Sequence, residues 1–192
     1  MDRKILDIGA GPWKYPGSLT IDINKKFQPD ILHDLNVHPW PVNDSEFDVV
    51  HSSHCIEHLD DPEKAISEMY RVAKPGGLLI LTVPHFSSRL AWTDIEHKRA
   101  FSINVLRNYT GKFAERGNSN MRFEIRKIMF RWQPKINVST APSWLLRTLP
   151  IFNLLNDIIS GLANTNVEFC ERIWCYLAGG MGEVKFYARV LK

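Results

Sequence analysis

Residues 5–11 constrain the fold of this 192-residue chain more than any other stretch. They begin as a short apolar strand that contains Asp7 and end in two glycines, Gly9 and Gly11, separated by one residue. Glycine reaches positive φ at little cost, and its bare backbone lets a ligand approach closely. In open α/β sheets, such turns lie at the carboxyl ends of strands, where nucleotides bind. The stretch therefore predicts the first strand of an open sheet, with a ligand close to the backbone of Gly9.

The first half of the chain contains several short apolar runs that predict strands. Their apolar residues are continuous instead of alternating, which is typical of a parallel sheet covered on both faces. The predicted strands span residues 3–8, 19–23, 30–32, 47–52 and 78–83.

Two helices are predicted in the same half. Asp61 is a good N-cap and Pro62 suits the first helical position, so a helix is expected over residues 62–73. A shorter helix is expected over residues 102–109, closed by Gly111. Strands that alternate with helices in this way indicate the α/β class.

The C-terminal half combines alternating and helical patterns. Apolar and polar residues alternate over residues 121–132 and 183–191, which predicts two longer strands. Residues 143–163 and 167–178 are predicted to be helical, with a break at Pro150. The first of these helices carries a wide apolar stripe, which we expect to pack on the sheet or on a partner subunit. Its polar face lacks the Lys and Arg residues of interfacial membrane helices, although attachment to a membrane surface stays open. The stripe consists of Ile151, Leu154, Leu155, Ile158 and Leu162.

Four motifs in the N-terminal half resemble, in the same order, those of the class I S-adenosylmethionine-dependent methyltransferases, in particular the type 11 branch. They are the Gly9-x-Gly11 turn, the acid Asp22 after the second strand, the phrase over residues 52–62 and the turn over residues 71–77. The resemblance implies a doubly wound, mostly parallel seven-stranded sheet with a Rossmann-like methyltransferase fold, an antiparallel last strand and a helical insertion before it. It also implies S-adenosylmethionine as the cofactor and methyl transfer to oxygen or nitrogen of a small-molecule or glycan acceptor.

On this resemblance we expect one domain over residues 1–192, with a cofactor-binding core at 1–87. An acceptor-side loop and helix would occupy 88–120, and C-terminal strands 121–192, with the helical insertion at 143–178. The non-catalytic alternative is a cofactor-binding or partner subunit that keeps the fold.

The resemblance also assigns candidate site residues. Asp22 would bind the ribose, Asp7 would order the glycine turn and meet the ammonium group, and Asp34 would lie at the adenine. The other cofactor-binding candidates are Gly9, Gly11, Ile23, Leu35, Ser52, Ser53 and His54. The catalytic candidates are His97, His85 and His58, because neutral imidazoles can accept a proton near pH 7. Alternatively, His97 and Asp94 only hold a loop in place, and His58 is structural.

The connection between the first two strands is unusually short. Ten residues separate Gly11 from Asp22, and they include Pro12, Pro16 and Gly17. A crossover connection with a helix needs a dozen or more residues, so this helix should be missing or reduced to a turn. A dinucleotide site relies on a helix N-terminus to bind phosphate, whereas S-adenosylmethionine carries none. The short connection therefore disfavours NAD and FAD.

Three closely spaced histidines raise the question of a metal site. The spacing of His51, His54 and His58 is that of metal ligands on one helix face. However, the set straddles a strand end, where successive side chains alternate. No metal is therefore expected.

Charge and cysteine content narrow the partners and the location. Residues 107–135 carry eight Lys or Arg and two acids, which fits either a solvated surface or an anionic, lipid-linked or acidic-sugar acceptor. The net charge of +3 is small and no RNA-binding motif occurs, so no specific nucleic acid is expected. We expect a cytoplasmic protein, with peripheral membrane contact left open. The three cysteines cannot form a complete disulfide framework, no leader is expected before the first strand, and no apolar run reaches the ~20 residues that span a bilayer.

Overall fold

The computed structural model describes residues 3–111, 120–132, 149–177 and 180–192. Its centre is a seven-stranded sheet in the order β3-β2-β1-β4-β5-β7-β6. β7 runs antiparallel to both of its neighbours, β5 and β6, and the other described strand pairs are parallel, so the predicted α/β sheet with an antiparallel last strand is confirmed. The strands are β1 (Ile5–Ile8), β2 (Leu19–Asp22), β3 (Ile31–Leu32), β4 (Phe47–Ser53), β5 (Ala73–Pro84), β6 (Phe123–Arg131) and β7 (Glu183–Val190).

Helix α1 (Pro62–Val72) begins where the sequence predicts. The Asp61 side chain accepts a hydrogen bond from the Lys64 N–H at 3.0 Å, and Pro62 occupies the first turn. The buried face of the helix includes Ile66 and Met69, which pack into the core. The cap and the apolar spacing therefore fix both the start and the orientation of α1.

The prediction of a helix over residues 102–109 is wrong. The structure has turns there and a 3₁₀ helix at Arg107–Tyr109. The Ser102 hydroxyl accepts a hydrogen bond from the Asn104 N–H at 3.0 Å, a local bond that competes with an α-helix. Phe101 pairs with the end of β5, donating its N–H to the Pro84 carbonyl. This pairing holds the start of the segment in an extended conformation.

Four other α-helices lie among the described residues, together with a π-helical turn. These elements are α2 (Leu90–Thr93), α3 (Leu149–Thr165), α4 (Val167–Phe169), the π-helical turn Cys170–Trp174 and α5 (Cys175–Leu177). Residues 143–148 of the predicted helix, and residue 178, lie outside the described residues. Pro150 lies in the first described turn of α3, and the break predicted at this proline stays a prediction because the residues just before 149 lie outside the described ones.

The apolar stripe of α3 does not pack on the sheet, whereas the alternative of packing on a partner subunit stays a prediction. Its five members, Ile151, Leu154, Leu155, Ile158 and Leu162, are 47–62% exposed. The helix instead turns polar side chains to the open edge of β6. Asn164 accepts a hydrogen bond from the Phe130 N–H and donates one to the Phe130 carbonyl, at 2.7 and 2.8 Å, and the Ser160 hydroxyl accepts one from the Trp132 N–H. An edge strand carries unpaired backbone groups that need such partners.

The connection between β1 and β2 contains only turns over residues 9–18, as predicted. Asp7 accepts a hydrogen bond from the Tyr15 N–H at 2.8 Å, and the Gly11 N–H donates to Asp22 at 2.8 Å. Two strand carboxylates thus fix the loop that a crossover helix would otherwise fix. In the described part of the chain, no helix combines the length and the apolar character needed to span a bilayer.

Candidate active site

A cavity of about 380 Å³ opens at the carboxyl ends of β1, β2 and β4. Seven of the predicted cofactor residues line it, and they come from four separate segments of the chain. They are Gly9, Gly11, Asp22, Ile23, Asp34, Leu35 and His54, joined by the catalytic candidate His58. Five lining residues were missed by sequence reasoning: Phe27, Asn36, Cys55, Leu59 and Glu96. Asn36, Cys55 and Leu59 follow predicted residues along the chain, which is a usable signal, whereas nothing in the sequence marks Glu96.

The Asp22 carboxylate is the best-anchored polar group of the cavity wall. It is 7% exposed, and its Oδ2 and Oδ1 accept hydrogen bonds from the N–H groups of Gly11 and Asn24 at 2.8 and 2.7 Å. An ionised carboxylate has about four acceptor positions. Both oxygens therefore keep acceptor capacity for donors in the cavity, such as a pair of hydroxyl groups.

The two glycines of the turn have different reasons to be glycine. Both lie in the left-handed region, with φ of 63° at Gly9 and 53° at Gly11. A Cβ on Gly9 would lie 2.2 Å from the Cys55 Sγ, whereas a Cβ on Gly11 would meet nothing within 4 Å. Gly9 is therefore needed for packing against Cys55, and because it also lines the cavity, the expected approach of a ligand to its backbone stays a prediction. Gly11 is the glycine that faces open space at the cavity.

Three predicted cofactor residues do not line the cavity. Asp7 is 1% exposed, and its oxygens bind His51 Nδ1 at 2.6 Å and the Tyr15 N–H at 2.8 Å. It orders the glycine turn, whereas its predicted contact with an ammonium group, directly or through water, stays a prediction. Ser52 is fully buried, and Ser53 is half-buried beside the wall. Both serines belong to β4, which continues to residue 53, so their side chains point to opposite faces of the sheet.

His54 places a positive charge at the cavity. Its Nε2 lies 2.9 Å from Glu183 Oε2, and its Nδ1 lies 3.3 Å from Glu57 Oε1. Burial lowers the pKa of His54, but the two carboxylates outweigh burial and raise that pKa to about 9. The imidazole is thus cationic near neutral pH, which suits an anionic ligand group more than a proton acceptor.

The structure does not support the predicted catalytic role of His85, because this residue does not line the cavity. Its ring is fully buried, with Nε2 3.1 Å from Glu171 Oε1 and Nδ1 2.7 Å from the Ser87 hydroxyl. Burial lowers the pKa of His85, but the Cys175 sulfur and the Glu171 carboxylate raise it overall. Because both nitrogens are engaged and the ring does not line the cavity, His85 holds the end of β5 to the π-helical turn.

The other two catalytic candidates lie together. His58 lines the cavity, and the His97 ring packs against it with 4.7 Å between ring centroids. His97 Nε2 lies 3.7 Å from Asp94 Oδ2. This distance is too long for a hydrogen bond, so the loop-holding role of Asp94 stays a prediction, and His97 reaches the cavity only behind His58. His51 and His54 point elsewhere, to Asp7 and Glu183, so the three closely spaced histidines do not converge.

The described part of the basic run is largely paired with acids. Arg107 pairs with Glu168, Arg126 with Glu124 and Arg131 with Glu183. Lys112, Arg116 and Lys135 lie outside the described residues. The solvated-surface interpretation of this run is thus the better supported one, because paired arginines present little free charge to an anion.

Sequence comparisons with known proteins find methyltransferases. Residues 16–81 match the model of a type 11 family described as "Methyltransferase domain". Ajmaline N-methyltransferase of Rauvolfia serpentina is 56% identical over 41 residues, which is 21% of this chain and 14% of that protein. Malonyl-[acyl-carrier protein] O-methyltransferase of Enterobacter lignolyticus is 25% identical over 115 residues, covering 50% of this chain and 46% of that protein. The chain thus spans less than half the length of either curated relative.

Solved structures show the same fold. A SAM-dependent methyltransferase from Archaeoglobus fulgidus superposes with a TM-score of 0.57 at 20% identity, covering 97% of this chain and 86% of that one. At this identity the likeness establishes the fold.

Proposed function

Because the chain belongs to the type 11 branch of the class I S-adenosylmethionine-dependent methyltransferases, we propose that it binds this cofactor in the cavity and transfers its methyl group to oxygen or nitrogen of a small-molecule acceptor. One observation carries the proposal. The Asp22 carboxylate is fixed at the cavity wall by two backbone N–H groups and keeps free acceptor positions. A ribose with two adjacent hydroxyl groups matches that arrangement.

The rest of the cavity fits the cofactor in shape and charge. Gly11 leaves room beside Asp22, where a Cβ would meet no protein atom within 4 Å. The wall carries the carboxylates of Asp22, Asp34 and Glu96, which favour a ligand with cationic groups, and the cationic His54, which favours a carboxylate. S-adenosylmethionine carries an ammonium, a sulfonium and a carboxylate. Leu35 and Phe27 supply apolar surface for an adenine ring.

The bound cofactor supplies an already activated methyl group, so the protein mainly has to align the acceptor. Proximity and orientation alone can supply about 7–11 kcal/mol of the barrier. His58 lies on the wall with His97 behind it, and we assign the acceptor side of the cavity to this pair. The acidic lining favours a neutral or cationic acceptor over an anionic one. The relatives named above as N- and O-methyltransferases support nitrogen or oxygen as the methylated atom.

Two finer expectations stay predictions. The exposed stripe on α3 leaves room for a second copy of the chain, and it is the feature that supports a lipid-linked or membrane-associated glycan acceptor. The cytoplasmic location rests on composition alone.

Calorimetry with S-adenosylmethionine and its demethylated product tests the proposal. We expect a Kd near 1 μM, or about −8 kcal/mol. Asp22→Asn should weaken binding by about 1–3 kcal/mol, or roughly 5–150-fold, because an amide nitrogen would face an N–H donor and a ribose hydroxyl would lose its partner. The matched control is Asp44→Asn, since Asp44 is an exposed carboxylate paired with Arg71 away from the cavity. Absence of binding in the wild type, or an equal loss in both variants, would refute the assignment.

Turnover separates an enzyme from a non-catalytic subunit. Protein that binds the cofactor should be incubated with labelled cofactor and a panel of amines, phenols and sugars. Transfer to at least one nucleophile, lost in Asp22→Asn at low cofactor concentration, is the expected result. Cofactor binding without transfer to any of them would favour the partner-subunit alternative.

A further inference from the structure

Glu57, His58 and His97 form a compact cluster at the wall of the cavity. One potential ligand atom from each side chain lies within 4.8 Å of the other two. In the part of the chain that the structure describes, no other group of three His, Cys, Asp or Glu side chains meets this criterion. The cluster shares only His58 with the His51, His54 and His58 set suggested by spacing. Its other two members are Glu57 and His97.

Both imidazoles are held in the manner of metal-binding histidines. His58 Nδ1 lies 3.3 Å from the Glu96 carbonyl oxygen, and His97 Nδ1 lies 3.3 Å from the Ala91 carbonyl oxygen. A carbonyl oxygen can only accept, so each Nδ1 carries the proton. Each Nε2 therefore has a free lone pair directed away from the carbonyl, and a hydrogen bond of this kind orients most histidine ligands of metals.

The carboxylate of Glu57 has a stronger need for a partner. The residue is fully buried, and neither oxygen has a well-formed hydrogen bond to the residues that the structure describes. His54 Nδ1 lies 3.3 Å from Oε1 and is the neighbour of that oxygen only. Burying a charged oxygen without a hydrogen-bond partner costs free energy. In native structures such an oxygen is usually explained by an ordered water molecule or a bound ion. Oε2 is the atom left to bind a cation.

Backbone contacts hold the two segments of the cluster together without help from the histidines. The Lys98 N–H donates to the Glu57 carbonyl at 2.9 Å, and the Lys98 ammonium binds Asp60 at 2.6 Å. Residues 94–98 therefore return to the 3₁₀ helix at Ile56–His58 through contacts of their own. The three ligand atoms are prearranged, which lowers the entropy lost when a cation binds.

We propose that Glu57, His58 and His97 bind a divalent transition-metal ion of the Zn²⁺ class at the wall of the cavity. Two imidazole nitrogens and one carboxylate oxygen form a donor set that Zn²⁺ uses with an open fourth position. Tetrahedral zinc with bonds of about 2.05 Å separates its ligands by about 3.3 Å, so ligand atoms that lie within 4.8 Å of one another have to move closer together when the ion binds. Asp94 Oδ2, 3.7 Å from His97 Nε2, is the nearest further oxygen ligand. The site rests on these residues, and metal binding to them can be measured without methyl transfer.

Co²⁺ titration of untagged, chelator-treated full-length protein tests the site directly, because Co²⁺ replaces Zn²⁺ and gives visible d–d bands. We expect one equivalent to bind and Zn²⁺ to displace it. Second-shell changes already cost 10–100-fold in metal affinity, so loss of a ligand in His58→Ala or Glu57→Gln should cost at least about tenfold. His33→Ala is the control, since His33 Nε2 contacts the Val37 carbonyl outside the cluster.

Melting temperatures give a second readout that does not depend on colour. Zn²⁺ should raise the melting temperature of the wild type and of His33→Ala, and leave that of His58→Ala unchanged. If circular dichroism shows that Glu57→Gln does not fold, the test relies on His58→Ala, because His58 is only half-buried. Absence of bands in the wild type, or equal Co²⁺ affinity in wild type and His58→Ala, overturns the proposal. Calorimetry with S-adenosylmethionine on the same samples keeps this outcome separate from that of the proposed function.

Discussion

Alanine substitutions at three glycines can separate backbone strain, packing and ligand contact. Gly9, Gly11 and Gly17 all lie in the left-handed region, with φ of 63°, 53° and 71°. Their surroundings differ. A Cβ on Gly9 would lie 2.2 Å from Cys55 Sγ, whereas a Cβ on Gly11 or Gly17 would meet nothing within 4 Å. Gly11 lines the cavity and the exposed Gly17 does not.

These differences predict the loss of folding stability for each variant. The left-handed conformation costs an alanine about 1–2 kcal/mol, and this should be the whole effect of Gly11→Ala and Gly17→Ala on the free energy of unfolding. Gly9→Ala adds an overpacked contact with Cys55, worth about 1–3 kcal/mol. We therefore expect Gly9→Ala to lose about 2–5 kcal/mol.

Ligand binding should follow a different order. The Cβ of Gly11→Ala would occupy cavity space that we assign to the cofactor, so calorimetry should show affinity reduced at least about tenfold, or about 1.4 kcal/mol. Gly17→Ala should bind as the wild type does. Urea unfolding followed by circular dichroism measures stability on the same preparations. The double variant Gly9→Ala/Cys55→Gly should recover the packing loss but not the strain, because it removes the side chain that the new Cβ meets.

Two results would contradict this reasoning. If Gly9→Ala is no less stable than Gly17→Ala, the close approach to Cys55 is relieved at no cost and Gly9 is not required for packing. If Gly11→Ala binds S-adenosylmethionine as tightly as Gly17→Ala does, the ligand does not approach the backbone at Gly11.

Features encoded by neighbouring residues could be predicted from the sequence. The Asp61–Pro62 start of α1 and the apolar runs of β1, β2 and β4 depend on local chemistry, and the structure places them within a few residues of the prediction. The start of β5 differs more. Residues 74–77 contain Pro75 and two glycines and indicate a turn, yet β5 begins at Ala73. The strand pairs with β4 on both sides of this stretch, through Ala73 and Leu78, and the extra residues form an irregularity in the register.

Contacts between distant segments could not be predicted. His85 follows a strand end, where function is common, but its partner Glu171 lies 86 residues later and buries it. The stripe on α3 shows the reverse case. Its periodicity correctly identifies an amphipathic helix, but hydrophobicity cannot show that the edge of β6 needs Asn164 as a polar partner. The same limit applies to the metal cluster, because His97 reaches His58 only after residues 94–98 fold back.

Two further substitutions test these distant contacts by urea unfolding. Asn164→Leu should lose about 1–3 kcal/mol because both backbone groups of Phe130 lose their partner, whereas Thr165→Ala at the exposed helix end should lose less. Glu171→Gln tests the buried pair that Glu171 forms with His85. The pKa of His85 is raised from 6.5, and the pKa of Glu171 is lowered from 4.5 because its hydrogen bonds outweigh its burial. The lowered pKa stabilises the fold above about pH 4.5 and is lost as Glu171 protonates; the raised pKa stabilises it below about pH 6.5 and is lost as His85 deprotonates. The stability difference between wild type and Glu171→Gln should therefore be largest between these values, and a difference independent of pH would show that the pair is not ionised.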